Sequence, residues 1–517
     1  MWSTHPSIVL AVAWVVLLGI HRARQWWPAA RRPVPREVVH SASWAVILIY
    51  SAIVAWYACQ VTYFDPAEPT ITAVSSVFRD GKVLYPAMAA PERYALIYGP
   101  VLYMAHAFAM ALFGKSILVS KALGALAVLA SLFVGYRIFS KQSGRYAAVV
   151  ATSACALVYM DFGNATFWTR PDPFLILCGV VGLSAARRRG WSGAVVLGLA
   201  AGLSVNLKVS GPVYLLPAFA LRSSAYGRTG LFVAALIALM VGSAPFLVPT
   251  ISATHYLEYL YASANNGLFA SRFRQNLEWA LFLSAPLIAA VYGVRDRFSL
   301  LREQSPFLIS LAGSLAIIAA IAAKPGAGPY HFLPTVPFLT YALLDLPVRV
   351  RERAGLRLLV GAVALSALAL AVPRQVLLIT TIRGRPLESA LADVRRFADA
   401  HPSSRIAVGY SGTSRVSDAR VQIVFQTGEY WLDAPSVQEY RLSGLSLPSS
   451  TLRAMTECRT QVWLVPTGAS AFSVPSAYWP DGPRSVFSDE FREAFFRNHE
   501  WTHDTQNFAV WECRNRK

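Results

Sequence analysis

Residues 41–86 read SASWAVILIYSAIVAWYACQVTYFDPAEPTITAVSSVFRDGKVLYP. The run 41–60 is apolar enough and long enough to cross a bilayer as a helix. The chain then turns polar and sets two acids, Asp65 and Glu68, just beyond the apolar run. A carboxylate at that depth is costly unless it is paired or works. After Pro69 the apolar residues Ile71, Val74, Val77 and Phe78 recur at helical spacing, which predicts an amphipathic helix over 69–79 lying on the membrane surface. Asp80-Gly81 then reads as a turn. This order of span, acidic step and surface helix points to a helical membrane chain with its polar chemistry at the membrane edge.

The rest of the sequence extends that pattern. The chain has 517 residues, 55% hydrophobic and 15% charged, with a mean hydropathy of +0.43. Soluble chains are about 45–50% apolar and about 25% charged, so this composition excludes an ordinary soluble enzyme, a disordered chain and a disulfide-rich scaffold. Apolar runs at 6–20, 41–60, 116–136, 146–160, 173–186, 191–206, 211–221, 229–250, 277–293, 305–323, 331–346 and 357–373 predict about 12 transmembrane helices, of which 211–221 is short and tilted or broken. The apolar stretch 96–113 begins at Gly99-Pro100 and stops at Gly114, and is read as a re-entrant or interfacial helix. With it excluded, loops 21–40, 137–145, 187–189, 222–228, 295–302 and 349–357 share one side and hold 20 Lys and Arg. The positive-inside rule places them in the cytoplasm and both termini outside. The net charge of +19 is then a topology signal plus attraction to anionic membrane lipids. No basic face with aromatic platforms is built, so a nucleic-acid partner is excluded. The first apolar run lacks the basic flank and small-residue site of a cleavable signal peptide.

Residues 1–375 therefore form a transmembrane domain with a first outer loop at 61–115, and 376–517 a soluble, extracytoplasmic α/β domain. In the latter, 388–401 and SDEFREAFFRNHEW predict helices, while 405–412, VQIVFQ, VWLVPTG and TQNFAVWECR predict strands. Cys59, Cys155 and Cys178 lie in or near spans as core residues. Cys458 and Cys513 lie in the outer tail, where a disulfide is open to them.

Acids gather on the outer side, among them Asp65, Glu68 and Asp172, together with the bases Lys82, Arg93, Arg170, Lys208 and His331. A carboxylate can take the proton of an attacking group, and fixed cations can neutralise an anionic leaving group. Each has a plainer alternative. Asp65 and Glu68 could cap the following helix, the lysines and arginines could be snorkelling interfacial charges, and Arg170 and Asp172 could pair with each other. As hard oxygen ligands, Asp65 and Glu68 could also share a divalent cation, Mg or Mn.

The acidic step after an early span, the surface helix, DGKVLYP (80–86) and YGPVLYMAHAFAMALFG (98–114) resemble the membrane glycosyltransferases of the GT-C fold. The similarity is to the branch of protein O-mannosyltransferase, lipid A aminoarabinose transferase and Rgt-like enzymes. It continues in FWTRPDPFLILCGVVGL (167–183), GLSVNLKVSGPVYLLP (202–217) and GAGPYHFLPTVPFLTYALL (326–344). The resemblance implies an inverting hexosyl- or pentosyltransferase of the cytoplasmic (inner) membrane. It would move a sugar from a polyprenyl-phosphate donor to a cell-envelope acceptor on the outer face. Asp65 would be the base with Glu68 beside it, and Lys82, Arg93, Tyr94, Arg170, Asp172, Lys208 and His331 would contact substrate. Many members carry adjacent Asp-Glu, whereas here the two acids are separated as Asp65-Pro-Ala-Glu68. The competing readings are a lipid-linked saccharide polymerase or ligase, and a transporter or flippase. A transporter would set its charges at the bilayer midplane rather than at one face.

Overall fold

The computed structural model describes residues 5–26, 34–293, 297–345, 354–385, 387–479 and 482–514. The expected inner loops 21–40, 295–302 and 349–357 lie partly outside them. The apolar runs expected to span fall mainly on helices, with 331–346 split between the 3-10 segment Pro329–Thr335 and the helix Val336–Asp345. The runs 116–136 and 146–160 belong to one helix, Ile117–Met160, interrupted at Gly144, whose φ of +84° only glycine adopts freely. The run 211–221 is broken into a 3-10 turn, Gly211–Leu215, and the helix Leu216–Tyr226. Among the described residues, five stretches are long and apolar enough to cross a bilayer: Arg36–Ala58, Ile117–Met160, Arg228–Leu247, Gln304–Ile321 and Val360–Ala400. Shorter apolar helices include Pro100–Phe113, Asp172–Ala186 and Gly190–Val205. The chain is a multi-pass helical membrane protein.

It divides into two compact units. The first comprises Met1–Ala58, Gly124–Gly242 and Leu268–Ile379. The helix Asp172–Ala186 lies at its centre, packed against Gly190–Val205, Leu216–Tyr226 and the 3-10 segment Pro329–Thr335. Glycine in the central helix allows this crowding, since a Cβ on Gly182 would lie 2.5 Å from Leu215 Cδ2.

The second unit comprises Cys59–Leu123, Ser243–Gly267 and Thr380–Lys517. Strands β1 (Ile406–Val408), β2 (Val462–Pro466), β5 (His499–Asp504) and β6 (Phe508–Cys513) form a mixed sheet in the order β1-β2-β6-β5. β1 runs parallel to β2 and the other pairs are antiparallel. β3 (Pro475–Ser476) and β4 (Arg484–Ser485) pair separately. Trp463 and Val465 of β2 pack into an aromatic core with Phe472, Phe487, Phe491 and Phe495.

Two expectations are corrected. VQIVFQ is not a strand, and lies in the helix Arg420–Thr427. Its alternating Val421, Ile423 and Phe425 mimic a strand, yet tertiary burial of Val421, Ile423 and Val424 overrides that propensity. The helix expected at 69–79 exists as Ala67–Arg79, but it has no open face to lay on a membrane. Residues 68–77 are all buried, and Pro100–Phe113 and Arg420–Thr427 pack against the helix.

Cys458 and Cys513 are disulfide-bonded, with Cα atoms 6.0 Å apart across 55 residues of chain. Closing a loop of that length removes denatured-state entropy worth about 4 kcal/mol on the chain-entropy estimate. Cys458→Ser should therefore lower the melting temperature of the purified chain, and reductant should lower the wild type to match. Equal melting curves for oxidised wild type and variant would remove the bond from the stability of this unit.

Candidate functional site

In the first unit, Pro171 and Pro173 bracket Asp172 at the start of the central helix. The carboxylate thus sits in the first turn, where the helix dipole favours a negative charge. Asp172 is 1% exposed and fully engaged: Lys208 Nζ donates to Oδ1 at 2.7 Å and Trp168 Nε1 to Oδ2 at 3.0 Å. Arg170 Nη2 donates to the Tyr330 hydroxyl at 2.7 Å, and its guanidinium lies 4.0 Å from the Trp168 ring centroid. Lys208 lies 5.4 Å from the Tyr330 centroid, and the His331 ring packs 4.7 Å from that of Tyr330. The Tyr214 hydroxyl meets His331 Nδ1 at 3.5 Å. Four residues singled out from sequence, Arg170, Asp172, Lys208 and His331, thus converge in one buried aromatic cluster.

The cluster sets two fixed cations, Arg170 and Lys208, against the Asp172 carboxylate. Burial pushes the Lys208 ammonium below the ordinary lysine value; Asp172 opposes that shift and Arg170 adds to it. With two cations against one carboxylate, the cluster is net positive. Gly124 lets the helix Ile117–Met160 approach the backbone at Trp168 closely, because a Cβ there would lie 2.2 Å from the Trp168 carbonyl oxygen.

In the second unit, Asp65 lies in the turn before the helix Ala67–Arg79 and is half-buried. Its Oδ1 accepts from Ala67 N at 2.9 Å, and its own N–H donates to Glu68 Oε1 at 3.2 Å. Glu68 is fully buried and interacts electrostatically with Lys121. Lys121 Nζ donates to the carbonyls of Gln60 and Thr62 at 2.8 and 3.0 Å. Beside them a hydroxyl chain runs from Tyr63 to Thr72 (3.0 Å), Ser120 (2.9 Å) and His106 Nδ1 (3.1 Å). Of the two acids, Asp65 is the more accessible, and Glu68 is the one built into the structure.

No protein-family model matches this sequence, and no curated protein matches it. Solved structures do. The crystal structure of ArnT from Cupriavidus metallidurans bound to undecaprenyl phosphate is 13% identical, with a TM-score of 0.58 over 90% of this chain and 97% of that one. The apo state of the same protein gives 0.57 over 91% and 98%, again at 13% identity. The chain has the GT-C fold. The Archaeoglobus fulgidus oligosaccharyltransferase in its apo form is more distant, with a TM-score of 0.40 at 14% identity over 64% of this chain and 56% of that one.

The remaining sequence candidates are dispersed through the second unit. Lys82 pairs with Glu429 at 3.0 Å on the surface. Arg93 is buried and donates to the backbone carbonyls of Met88, Ala90 and Glu92 and to the Tyr259 hydroxyl. Its own backbone is bonded to residues 431 and 433, so it braces the loop. Tyr94 donates to the Val83 carbonyl and stacks on Tyr430. Among the described residues no group of three His, Cys, Asp or Glu is placed to hold a metal. Asp65 and Glu68 offer hard oxygens but fall short of the donor set of an all-protein cation cage. Trp168, Tyr214 and Tyr330, whose rings wall the cation cluster, do not stand out in the sequence. Nor do Arg385 and Arg420, which reach the Asp65 turn from far along the chain. FWTRPD and GPYHF do carry the first group as aromatics next to charges, but nothing local marks the second.

Proposed function

We propose that the chain transfers a sugar from a polyprenyl-phosphate-linked donor to a cell-envelope acceptor by a single inverting displacement. An acceptor oxygen attacks the anomeric carbon and its proton passes to the Asp65 carboxylate. The bond from that carbon to the lipid phosphate oxygen breaks with its electron pair, and the released phosphate carries the new charge. It needs no proton, only neutralisation, which Arg170 and Lys208 supply with an N–H from His331. None of these steps runs through a metal ion.

The observation that carries the reading is the buried cluster of Arg170, Lys208, His331 and Asp172 with its surplus of cations. The likeness to ArnT bound to undecaprenyl phosphate, over nearly the whole of both chains, supports a lipid-linked donor. In the proposed topology about 12 helices cross the inner membrane. Segment 376–517 is then a periplasmic α/β domain, which the disulfide supports, since such bonds persist in oxidising compartments. The hexosyl or pentosyl identity of the sugar belongs to the same proposal.

Deleting the protein from its cell tests this. Mass spectrometry of lipid extracts should show one polyprenyl-phosphate-linked sugar accumulating, and that sugar should vanish from an envelope glycan, lipid or protein. Unchanged lipid-linked pools and glycans would refute the transferase reading.

A further inference from the structure

The segment 60–66 has most of its carbonyls taken by three cations. Lys121 holds those of Gln60 and Thr62. Arg385 Nη1 donates to Tyr63 O at 2.7 Å and Phe64 O at 3.4 Å, with its guanidinium 5.7 Å from the Phe64 ring centroid. Arg420 Nη2 donates to Pro66 O at 3.3 Å and to Thr70 Oγ1, one turn into the helix, at 3.1 Å. Arg385 and Arg420 thus grip the peptide groups on both sides of Asp65. Pro66 restricts Asp65 further, because a residue before proline loses much of its backbone freedom.

Arg420 is itself immobile. It is 2% exposed, with Nη1 donating to Asp418 Oδ1 and Ser417 O, each at 3.1 Å, and Nε 3.3 Å from Asp433 Oδ1. Asp433 also accepts from Tyr410, Tyr430 and Thr70, and caps the helix Ala434–Leu442 through Ser436 N. Arginine suits this task because its planar fork can hold several acceptors at once, which an ammonium on a flexible stem does less well.

We infer that Arg385 and Arg420 are positioning residues for Asp65: by fixing the carbonyls of Tyr63, Phe64 and Pro66 they aim its carboxylate, so the segment Thr380–Lys517 sets the geometry of proton abstraction. This rests on Asp65 being the base. A displacement of about 1 Å at a reacting group can cost on the order of 10²-fold in rate.

Arg385→Ala in the full-length chain is the first test, because Arg385 is only partly buried, whereas Arg420→Ala risks the fold. Two readouts are needed. Amide hydrogen exchange over residues 61–70 should accelerate at Ala67 and Glu68. With the polyprenyl-phosphate-linked sugar that accumulates in the deletion strain as donor, kcat should fall about 10–100-fold at an unchanged donor KM, with Arg385→Lys intermediate. In an Asp65→Asn background, Arg385→Ala should cost nothing more, since it acts through Asp65. Unchanged exchange overturns the clamp whatever Asp65 does. Faster exchange with wild-type kcat overturns the positioning role, as does additivity with Asp65→Asn. Full turnover by Asp65→Asn removes the base and this inference with it, and the accelerated exchange in Arg385→Ala then distinguishes that failure from failure of the clamp.

Discussion

Asp65→Asn should slow sugar transfer by about 10²–10⁴-fold while leaving the protein folded and able to bind its donor. The amide is isosteric with the carboxylate and keeps an oxygen to accept from Ala67 N, so the turn before the helix Ala67–Arg79 should survive. What the amide cannot do is take a proton from the acceptor. Positioned general bases contribute about 10²–10⁴-fold, so kcat should fall by that factor with the donor KM and melting temperature unchanged. Glu68→Gln is the necessary companion. Glu68 is fully buried, its Oε1 accepts from Asp65 N, and its charge interacts with that of Lys121. Its loss should appear first as lowered stability and only secondarily in rate. The reverse pattern, an active Asp65→Asn and a stable but inactive Glu68→Gln, would transfer the role of base to Glu68.

The parts of this molecule that were legible in sequence are those governed by local periodicity or by charge in an apolar setting. Apolar runs mark their helices because every backbone group in a membrane must be satisfied within its own segment. Arg170, Asp172, Lys208 and His331 could be singled out because a charge or imidazole at the entrance to an apolar helix needs a reason, and the structure brings all four together. Legibility ended where long-range packing decides. Val421, Ile423 and Phe425 alternate like a strand, yet the segment is a helix, because it packs against Ala67–Arg79 and Leu387–Ala400. The same distant contact turns an apparent surface helix into a buried one. Arg385 and Arg420 grip residues more than 300 positions earlier, and no window of sequence carries that information.

Lys208→Met should remove both turnover and stability, and the two losses can be separated. The single variant leaves Asp172, 1% exposed, without its ion-pair partner. Breaking a buried pair from one side costs about 3–5 kcal/mol. Adding Asp172→Asn removes the orphaned charge and keeps an acceptor for Trp168 Nε1, so the double variant should recover most of the lost melting temperature. It should not recover transfer. The donor phosphodiester carries one negative charge when bound and gains another as the sugar leaves, so a fixed cation stabilises the transition state more than the ground state. Removing one such group should cost about 10²–10³-fold in kcat, with a smaller rise in donor KM. The pH profile gives an independent sign. Burial lowers the Lys208 pKa, so its positive charge disappears at a pH below the ordinary lysine value of about 10.4. The wild-type rate should therefore fall on an alkaline limb short of that value, and the double variant should lack the limb. A double variant that is stable and fully active would show that the Lys208–Asp172 pair serves packing alone, and the leaving phosphate would then have to be met by Arg170 and His331 without it.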